Sequence, residues 1–332
     1  MRGLQLKNPG ELELNDFNFD MPLMDDEVKI KLIYGGICGS DVGVYKGKIG
    51  HAKYPVRPGH ELVGRIIETG KNVLLKPSTK AVITPNTFCG ECENCLKGNK
   101  NICIYKKSLG VNVDGIFSEE IIINSKYVLP VPEEIPDEKA VLIEPFAVIV
   151  HAFEKASIKR NTKVAVIGCG AEGMLAVALA QFLGADVTAI DINQKKLEKA
   201  VESFNIKTSL ADEIKDEKFD VVIEAAGARQ AVEQSVQLVK QGGSIILIGL
   251  TPEANLPIVQ IVRNEITIHG SIIYNFPEDF SKCVDYLLND DFNVKPVISK
   301  IYPLADYQKA YLEAVTGQCG KILINFKGDG NS

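Results

Sequence analysis

Gly59-His60-Glu61 places an imidazole beside a carboxylate in a stretch where glycines at 59 and 64 let the backbone turn tightly. One nitrogen and one hard oxygen so close together are the start of a metal site. Cys38 upstream adds a thiolate and Glu144 downstream a second carboxylate, a mixed set that suits a divalent, borderline-soft ion such as zinc. Cys38 lies in Gly36-Ile37-Cys38-Gly39-Ser40-Asp41, just after the apolar strand 28–34, and a helix is expected to begin at Ser40 or Asp41. Asp41 then serves either as an N-cap or as the carboxylate that orients a metal-bound imidazole. Ser40 is either a capping hydroxyl or a group that passes on the proton of an alcohol. Pro145 biases Glu144 toward extended backbone, and a carboxylate in an otherwise apolar run needs a partner.

A second cluster differs in kind. Cys89, Cys92, Cys95 and Cys103 are separated by two, two and seven residues, and four thiolates can wrap one tetrahedral ion with no position left for substrate. The seven-residue gap, with Ile104 rather than proline after the last cysteine, departs from the bacterial iron–sulfur run. Zinc is the expected ion. Cys169, Cys283 and Cys319 lie outside the cluster and are expected to pack as small hydrophobes.

The third chemistry is nucleotide binding. An apolar strand over 163–167 runs into Gly168-Cys169-Gly170-Ala171-Glu172-Gly173, a helix follows over 174–183, and Asp191 ends the next strand, 18 positions beyond Gly173. Gly168 permits the turn, Gly170 lets a pyrophosphate approach the backbone, and Gly173 lets helix and strand pack closely. The helix N-terminus faces the phosphate charge. Asp191 accepts from both ribose hydroxyls and repels a 2′-phosphate, which favours NAD over NADP.

The elements that must hold these groups fall into two domains, as 332 residues with 45% hydrophobic content allow. Residues 1–147 read as short strands and turns, with nine glycines from 35 to 70, suited to a barrel-like β-domain carrying a site on its rim. Residues 148–275 alternate strand and helix, the pattern of a doubly wound parallel sheet, with 207–210 the weakest strand. Residues 276–332, with helices over 278–289 and 307–314 and a strand over 321–326, are expected to return to the first segment, leaving a polar tail after Lys327. The formal charge of −6, from 37 basic and 43 acidic residues without a basic block, argues against nucleic acid as a partner. The cysteine lobe carries Glu91 and Glu93 and no aromatic residue between Cys89 and Cys103, which argues the same way. With neither an export signal nor an apolar run long enough to span a bilayer, no membrane association and a cytoplasmic location are expected.

Taken together, the sequence resembles the zinc-dependent medium-chain dehydrogenases over nearly its whole length. The family signature is matched by Gly59-His60-Glu61, Gly64, Gly70 and Val73 without a break, and the cysteine lobe and nucleotide fingerprint follow in the family's order. The resemblance implies an α/β chain: a GroES-like catalytic domain formed by 1–147 and 276–332 around a Rossmann NAD-binding domain, 148–275, with catalysis in the cleft between them. It implies two zinc ions per chain, one catalytic and one structural, and a homo-oligomer, dimer or tetramer. Cys38 and His60 are implied as catalytic zinc ligands; in the sorbitol and polyol branch Glu61 completes the set and Glu144 is a ligand or holds water. Asp41 matches the partner of the zinc histidine, Lys196 a contact of the adenosine ribose, and Ile248 the apolar residue against the nicotinamide. The implied activity is reversible NAD-linked oxidation of a secondary alcohol on a small polyol or sugar-alcohol phosphate, with Ser40 opening the proton relay. Rival readings are another medium-chain alcohol or threonine-type dehydrogenase, and a zinc-stapled NAD binder without turnover. Two departures bear on the substrate: Gly43 and Val44 stand where many members extend the relay with a histidine, and Ile273 stands where sorbitol dehydrogenases carry arginine. His51, Lys53 and Arg57 are candidate anion contacts, whereas His151 and His269 are expected to be packed or hydrogen-bonded.

Overall fold

The first segment alternates apolar and polar residues in short runs, and the computed structural model, which describes residues 1–17 and 21–327, turns these runs into strands. The polar tail after Lys327 lies outside the described residues. The strands are β1 (Arg2–Leu6), β2 (Leu12–Asp16), β3 (Glu27–Ile37), β4 (Glu61–Thr69), β5 (Lys80–Ile83), β6 (Glu120–Asn124) and β7 (Val128–Pro130). β3 alternates at its start and is buried on both faces from Leu32 onward. That change reflects its place, because β3 pairs with β4, with β6 and with a strand from the far end of the chain.

The nucleotide segment supplies β8 (Lys163–Ile167), β9 (Asp186–Asp191), β10 (Lys207–Leu210), β11 (Phe219–Glu224), β12 (Val239–Leu247) and β13 (Thr267–Gly270). They form a six-stranded sheet in the order β10-β9-β8-β11-β12-β13, every pairing parallel. β8 is a continuous apolar run because helices cover both faces of such a sheet. The strand order reverses direction between β8 and β11, and the crevice at the carboxyl ends beside that reversal is where this fold class binds ligands.

The last segment divides. β14 (Ile298–Pro303) and β15 (Lys321–Asn325) complete a sheet ordered β14-β15-β3-β4-β5-β7. Helix Glu278–Leu287, expected to return to the first segment, packs on helix Ile143–Phe153, which spans the expected boundary at 147. That second helix is buried along nearly all its length, and with Ile33, Val63 and Val82 on one side and Val164 and Ile223 on the other it forms one continuous core. The two sheets are thus held through a shared apolar helix. Among the described residues no helix is long and apolar enough to cross a membrane.

Two local expectations are corrected. Glu144 is helical rather than extended: Leu142 already has φ −80° and ψ −7°, and Glu144 and Pro145 are the second and third residues of helix Ile143–Phe153. Proline is tolerated there because the first-turn N–H groups have no partner within the helix. The helix after Cys38 begins at Gly39 with Cys38 as its N-cap, so Asp41 is not the cap.

Candidate metal centres and cofactor cleft

Three strand ends meet at one edge of the β-sheet. Antiparallel pairing sets Gly36 of β3 opposite Glu61, the first residue of β4, and Ile37 opposite Ile322 of β15. Cys38 therefore leaves β3 where Glu61 enters β4 and Lys321 enters β15. A thiol sulfur of Cys38, a ring nitrogen of His60 and a carboxylate oxygen of Glu61 lie within 4.8 Å of one another. Glycine makes room for this meeting at two points. Gly59 has φ +91°, and a side chain there would meet the Phe117 ring at 2.2 Å; at Gly36 a Cβ would stand 2.0 Å from Glu61 Oε2.

Asp41, 1% exposed, ties the loop together. Its Oδ2 accepts from the Cys38 N–H at 2.9 Å and its Oδ1 from the Gly59 N–H at 3.0 Å. The same Oδ1 lies 3.2 Å from His60 Nδ1, though the ring is not aligned for a full hydrogen bond. With Nδ1 beside Asp41, Nε2, which lies 3.4 Å from Ser40 Oγ, is the nitrogen that would coordinate an ion. Glu61 is fully buried. Its Oε1 accepts from Lys321 Nζ at 2.5 Å, and among the described residues its Oε2 has no partner.

Burial raises the Glu61 carboxyl above its ordinary range despite the opposing charges of Lys321 and His60. Burial likewise raises the Cys38 thiol against the pull of Lys321 and His60, and lifts Glu144 to about 7, with the charge of Glu61 adding to the effect. Lys321 goes the other way: burial disfavours its charge, but Glu61, Cys38 and Glu172 hold it well above the usual lysine range. Several acidic groups thus face few cations, and one buried carboxylate oxygen lacks any partner. A divalent ion held by Cys38, His60 and Glu61 answers both deficits, so the donor set fits zinc. Glu144 is not in this trio; its Oε1 accepts from the Tyr274 hydroxyl at 2.6 Å.

The four cysteines form the second group. Their sulfurs lie 3.8 Å (Cys89–Cys95), 3.9 Å (Cys92–Cys103) and 3.6 Å (Cys89–Cys103) apart. Four thiolates at a Zn–S length of about 2.3 Å are separated by roughly 3.8 Å along a tetrahedral edge, so this cage fits zinc with no open position. The lobe docks on the segment before helix Glu278–Leu287: Lys100 Nζ donates to the Phe276 carbonyl at 2.9 Å and Asn101 Nδ2 to the Ile272 carbonyl at 3.1 Å.

The nucleotide loop fits its expected ligand. Gly168 has φ +100°, a Cβ on Gly170 would meet nothing within 4 Å, and one on Gly173 would stand 1.7 Å from the Gly168 carbonyl oxygen. Gly170 thus faces open space while Gly173 allows no side chain. Asp191 closes the loop, its Oδ2 accepting from the Cys169 N–H at 2.7 Å and its Oδ1 from the Asn193 N–H at 2.9 Å, with lone pairs remaining for a ribose. Lys196 is half-buried nearby, and Ile248 is half-buried just past the carboxyl end of β12.

Residues 24–133 match the family model for the alcohol dehydrogenase GroES-like domain, and residues 173–289 that for zinc-binding dehydrogenases. A sorbitol dehydrogenase of Halalkalibacterium halodurans is 32% identical, the match covering 90% of this chain and 91% of that one. The chain belongs to the zinc-dependent medium-chain dehydrogenases, in their polyol branch. Zinc and a nicotinamide dinucleotide are the cofactors of this dehydrogenase. A D-arabitol-phosphate dehydrogenase of Enterococcus avium is 30% identical over 98% of this chain and 97% of that one. The crystal structure of galactitol-1-phosphate dehydrogenase from Escherichia coli superposes with a TM-score of 0.88 at 29% identity, covering 98% of this chain and 100% of that one.

Three residues at the dehydrogenase site escaped the sequence reading. Lys321 opens an apolar strand, and a charge at the head of Ile-Leu-Ile was a signal, but its partner stands 260 residues away. Tyr274 reaches Glu144 across 130 residues. Glu172 was read only as part of the glycine loop, yet its Oε1 lies 3.9 Å from Cys38 Sγ. Of the candidate anion contacts, Arg57 is half-buried with its Nε donating to the Gly115 carbonyl at 2.7 Å. His151 is buried and its Nδ1 lies 2.9 Å from Asp279 Oδ2.

Proposed function

We propose that the enzyme reversibly oxidises a secondary alcohol on a small polyol or sugar-alcohol phosphate to the ketone, with NAD as hydride acceptor. The observation that carries this reading is the short gap between the two machineries: a side chain of the nucleotide loop, Glu172, lies 3.9 Å from the candidate ligand Cys38. Cys38, His60 and Glu61 would hold the catalytic zinc, and Cys89, Cys92, Cys95 and Cys103 the structural one. Zinc when bound supplies Lewis acidity, which lowers the pKa of an alcohol toward neutrality. Ser40 Oγ, beside His60 Nε2, would open the proton relay, taking up the alcohol proton as it hands its own to solvent. Asp41 fixes the His60 ring, and Glu144, braced by Tyr274, orients water or a substrate hydroxyl at the rim. Gly168, Gly170 and Gly173 receive the diphosphate, Asp191 and Lys196 the adenosine ribose, and Ile248 backs the nicotinamide. The catalytic domain is 1–147 with 276–332, and the NAD domain 148–275.

The polyol class is supported by the relatives, whose names are those of sorbitol, arabitol-phosphate and galactitol-1-phosphate dehydrogenases. A cytoplasmic homo-oligomer, dimer or tetramer, is part of the reading. The oligomer is supported by the edge strand β13 and by the exposed apolar side chains of Ile258, Val259 and Val262 on the helix that precedes it in the chain. NADH formation across C4 to C6 polyols and their phosphates tests the substrate class. Turnover of at least one member is expected, and binding of NAD without turnover of any would overturn it.

A further inference from the structure

Glu172 stands where a negative charge needs a reason. It is the second residue of helix Ala171–Phe182 and follows the turn that receives the diphosphate, so its carboxylate adds like charge beside an anionic ligand. It is half-buried. Among the described residues it enters no ion pair within 4.0 Å, and its one side-chain hydrogen bond is from the Cys38 thiol at 3.9 Å. A Cys38 that ligates a metal is a thiolate and has no proton to donate, so in the metal-loaded enzyme even that contact is lost. The buried cation Lys321 senses its charge but is paired with Glu61 at 2.5 Å. A carboxylate so placed has, among the described residues, no ion-pair partner in contact: Lys321 acts on it from beyond 4.0 Å, and a metal at Cys38 would have its charge divided among three ligands.

The reaction itself supplies such a partner. For hydride to pass, the reacting ring carbon must approach the alcohol carbon to about 3–3.5 Å, which brings the nicotinamide into the gap between the metal ligands and the nucleotide loop. The oxidised ring carries one positive charge. Uptake of hydride, a proton with two electrons, neutralises it. We infer that Glu172 is a specificity-determining residue that makes this site prefer the oxidised dinucleotide over the reduced one, by pairing its carboxylate with the cationic nicotinamide ring. The inference rests on the cofactor reading above and deepens it. Repulsion between Glu172 and the diphosphate is the same for both redox forms, so it cancels in their ratio and leaves only the ring charge.

The test is calorimetric titration of the zinc-loaded enzyme with NAD⁺, NADH and ADP-ribose, for the wild type, Glu172→Gln and Glu172→Asp. A charge pair in a partly solvated cleft is worth roughly a fivefold to tenfold change in affinity. Glu172→Gln is therefore expected to lower the ratio of the NADH to the NAD⁺ dissociation constant by about five- to tenfold. ADP-ribose, which lacks the ring, should move with NADH, and Glu172→Asp, which keeps the charge, should hold the ratio within about twofold of wild type. An unchanged ratio in Glu172→Gln, with both nucleotides still binding, overturns the inference while leaving the cofactor reading intact. Loss of zinc from two ions per chain to one in Glu172→Gln also overturns it, since the carboxylate would then be a metal ligand. A wild-type enzyme that binds neither nucleotide would sink the cofactor reading and the inference together.

Discussion

Replacing Lys321 by methionine removes the cation that donates to Glu61 Oε1. Both side chains are essentially inaccessible, 1% for Lys321 and 0% for Glu61, so the lost charge cannot be replaced by solvent. Breaking one partner out of a buried pair costs about 3–5 kcal/mol, because the other charge stays behind uncompensated. For a chain of this size that is a fall in melting temperature of roughly 4–7 °C. The loss depends on metal. With zinc removed by a chelator, Lys321 is the counter-charge of Glu61 and the full penalty is expected; with zinc present, the ion supplies that charge and the penalty shrinks. Adding Glu61→Gln to the methionine variant removes the stranded carboxylate and should recover most of the loss in the metal-free protein. Melting curves of the four proteins, with and without chelator, form the cycle. Equal losses with and without metal, or no rescue by Glu61→Gln, would refute the reasoning.

Other parts of the account are open to equally direct trials. Cys103→Ala is expected to lower zinc from two ions per chain to one and to speed amide exchange over 272–276, where Lys100 and Asn101 anchor the lobe; unchanged exchange would contradict the anchoring role. Gly173→Ala puts a Cβ 1.7 Å from the Gly168 carbonyl oxygen, so the loop must shift, and NAD affinity should fall at least about tenfold with a stability loss of about 1–3 kcal/mol; wild-type affinity would contradict it. Burial, helped by Glu138, holds the Tyr34 phenol at about 12, and burial holds Tyr274 and Tyr311 well above the ordinary value of 10. The unfolded chain releases these protons near pH 10 while the native protein keeps them, so stability falls as pH rises from about 10 to 12. Ultraviolet titration should show these three ionising late and together with unfolding, and a single step for all ten tyrosines would count against it.

Much of the site was legible because metal ligation uses few residue types. A histidine next to a carboxylate, and four cysteines within fifteen residues, stand out against a chain with four histidines and eight cysteines. The parallel sheet was legible for a different reason: strands buried on both faces read as apolar runs, as in Val164–Ile167 of β8 and Val221–Ile223 of β11. What stayed hidden depends on register and tertiary contact. Lys321 acquires meaning only when β15 is laid against β3, setting it beside the end of that strand. The backbone at Glu144 followed the buried helix rather than the local preference before proline, because packing on helix Glu278–Leu287 and the shared core outweighs a one-residue bias. Glu172 was hidden by its own motif, since a residue between two expected glycines invites no separate reading.

The central claim is that Cys38 and His60 hold a metal on which alcohol oxidation depends, apart from the four-cysteine site. Elemental analysis of purified Cys38→Ala and His60→Ala, beside an assay of NADH formation and a calorimetric measurement of NAD⁺ binding, tests it most directly. The account predicts one zinc per chain instead of two, no alcohol oxidation, and NAD⁺ binding retained in both variants. Two zinc ions per chain, or wild-type oxidation in either variant, would contradict it.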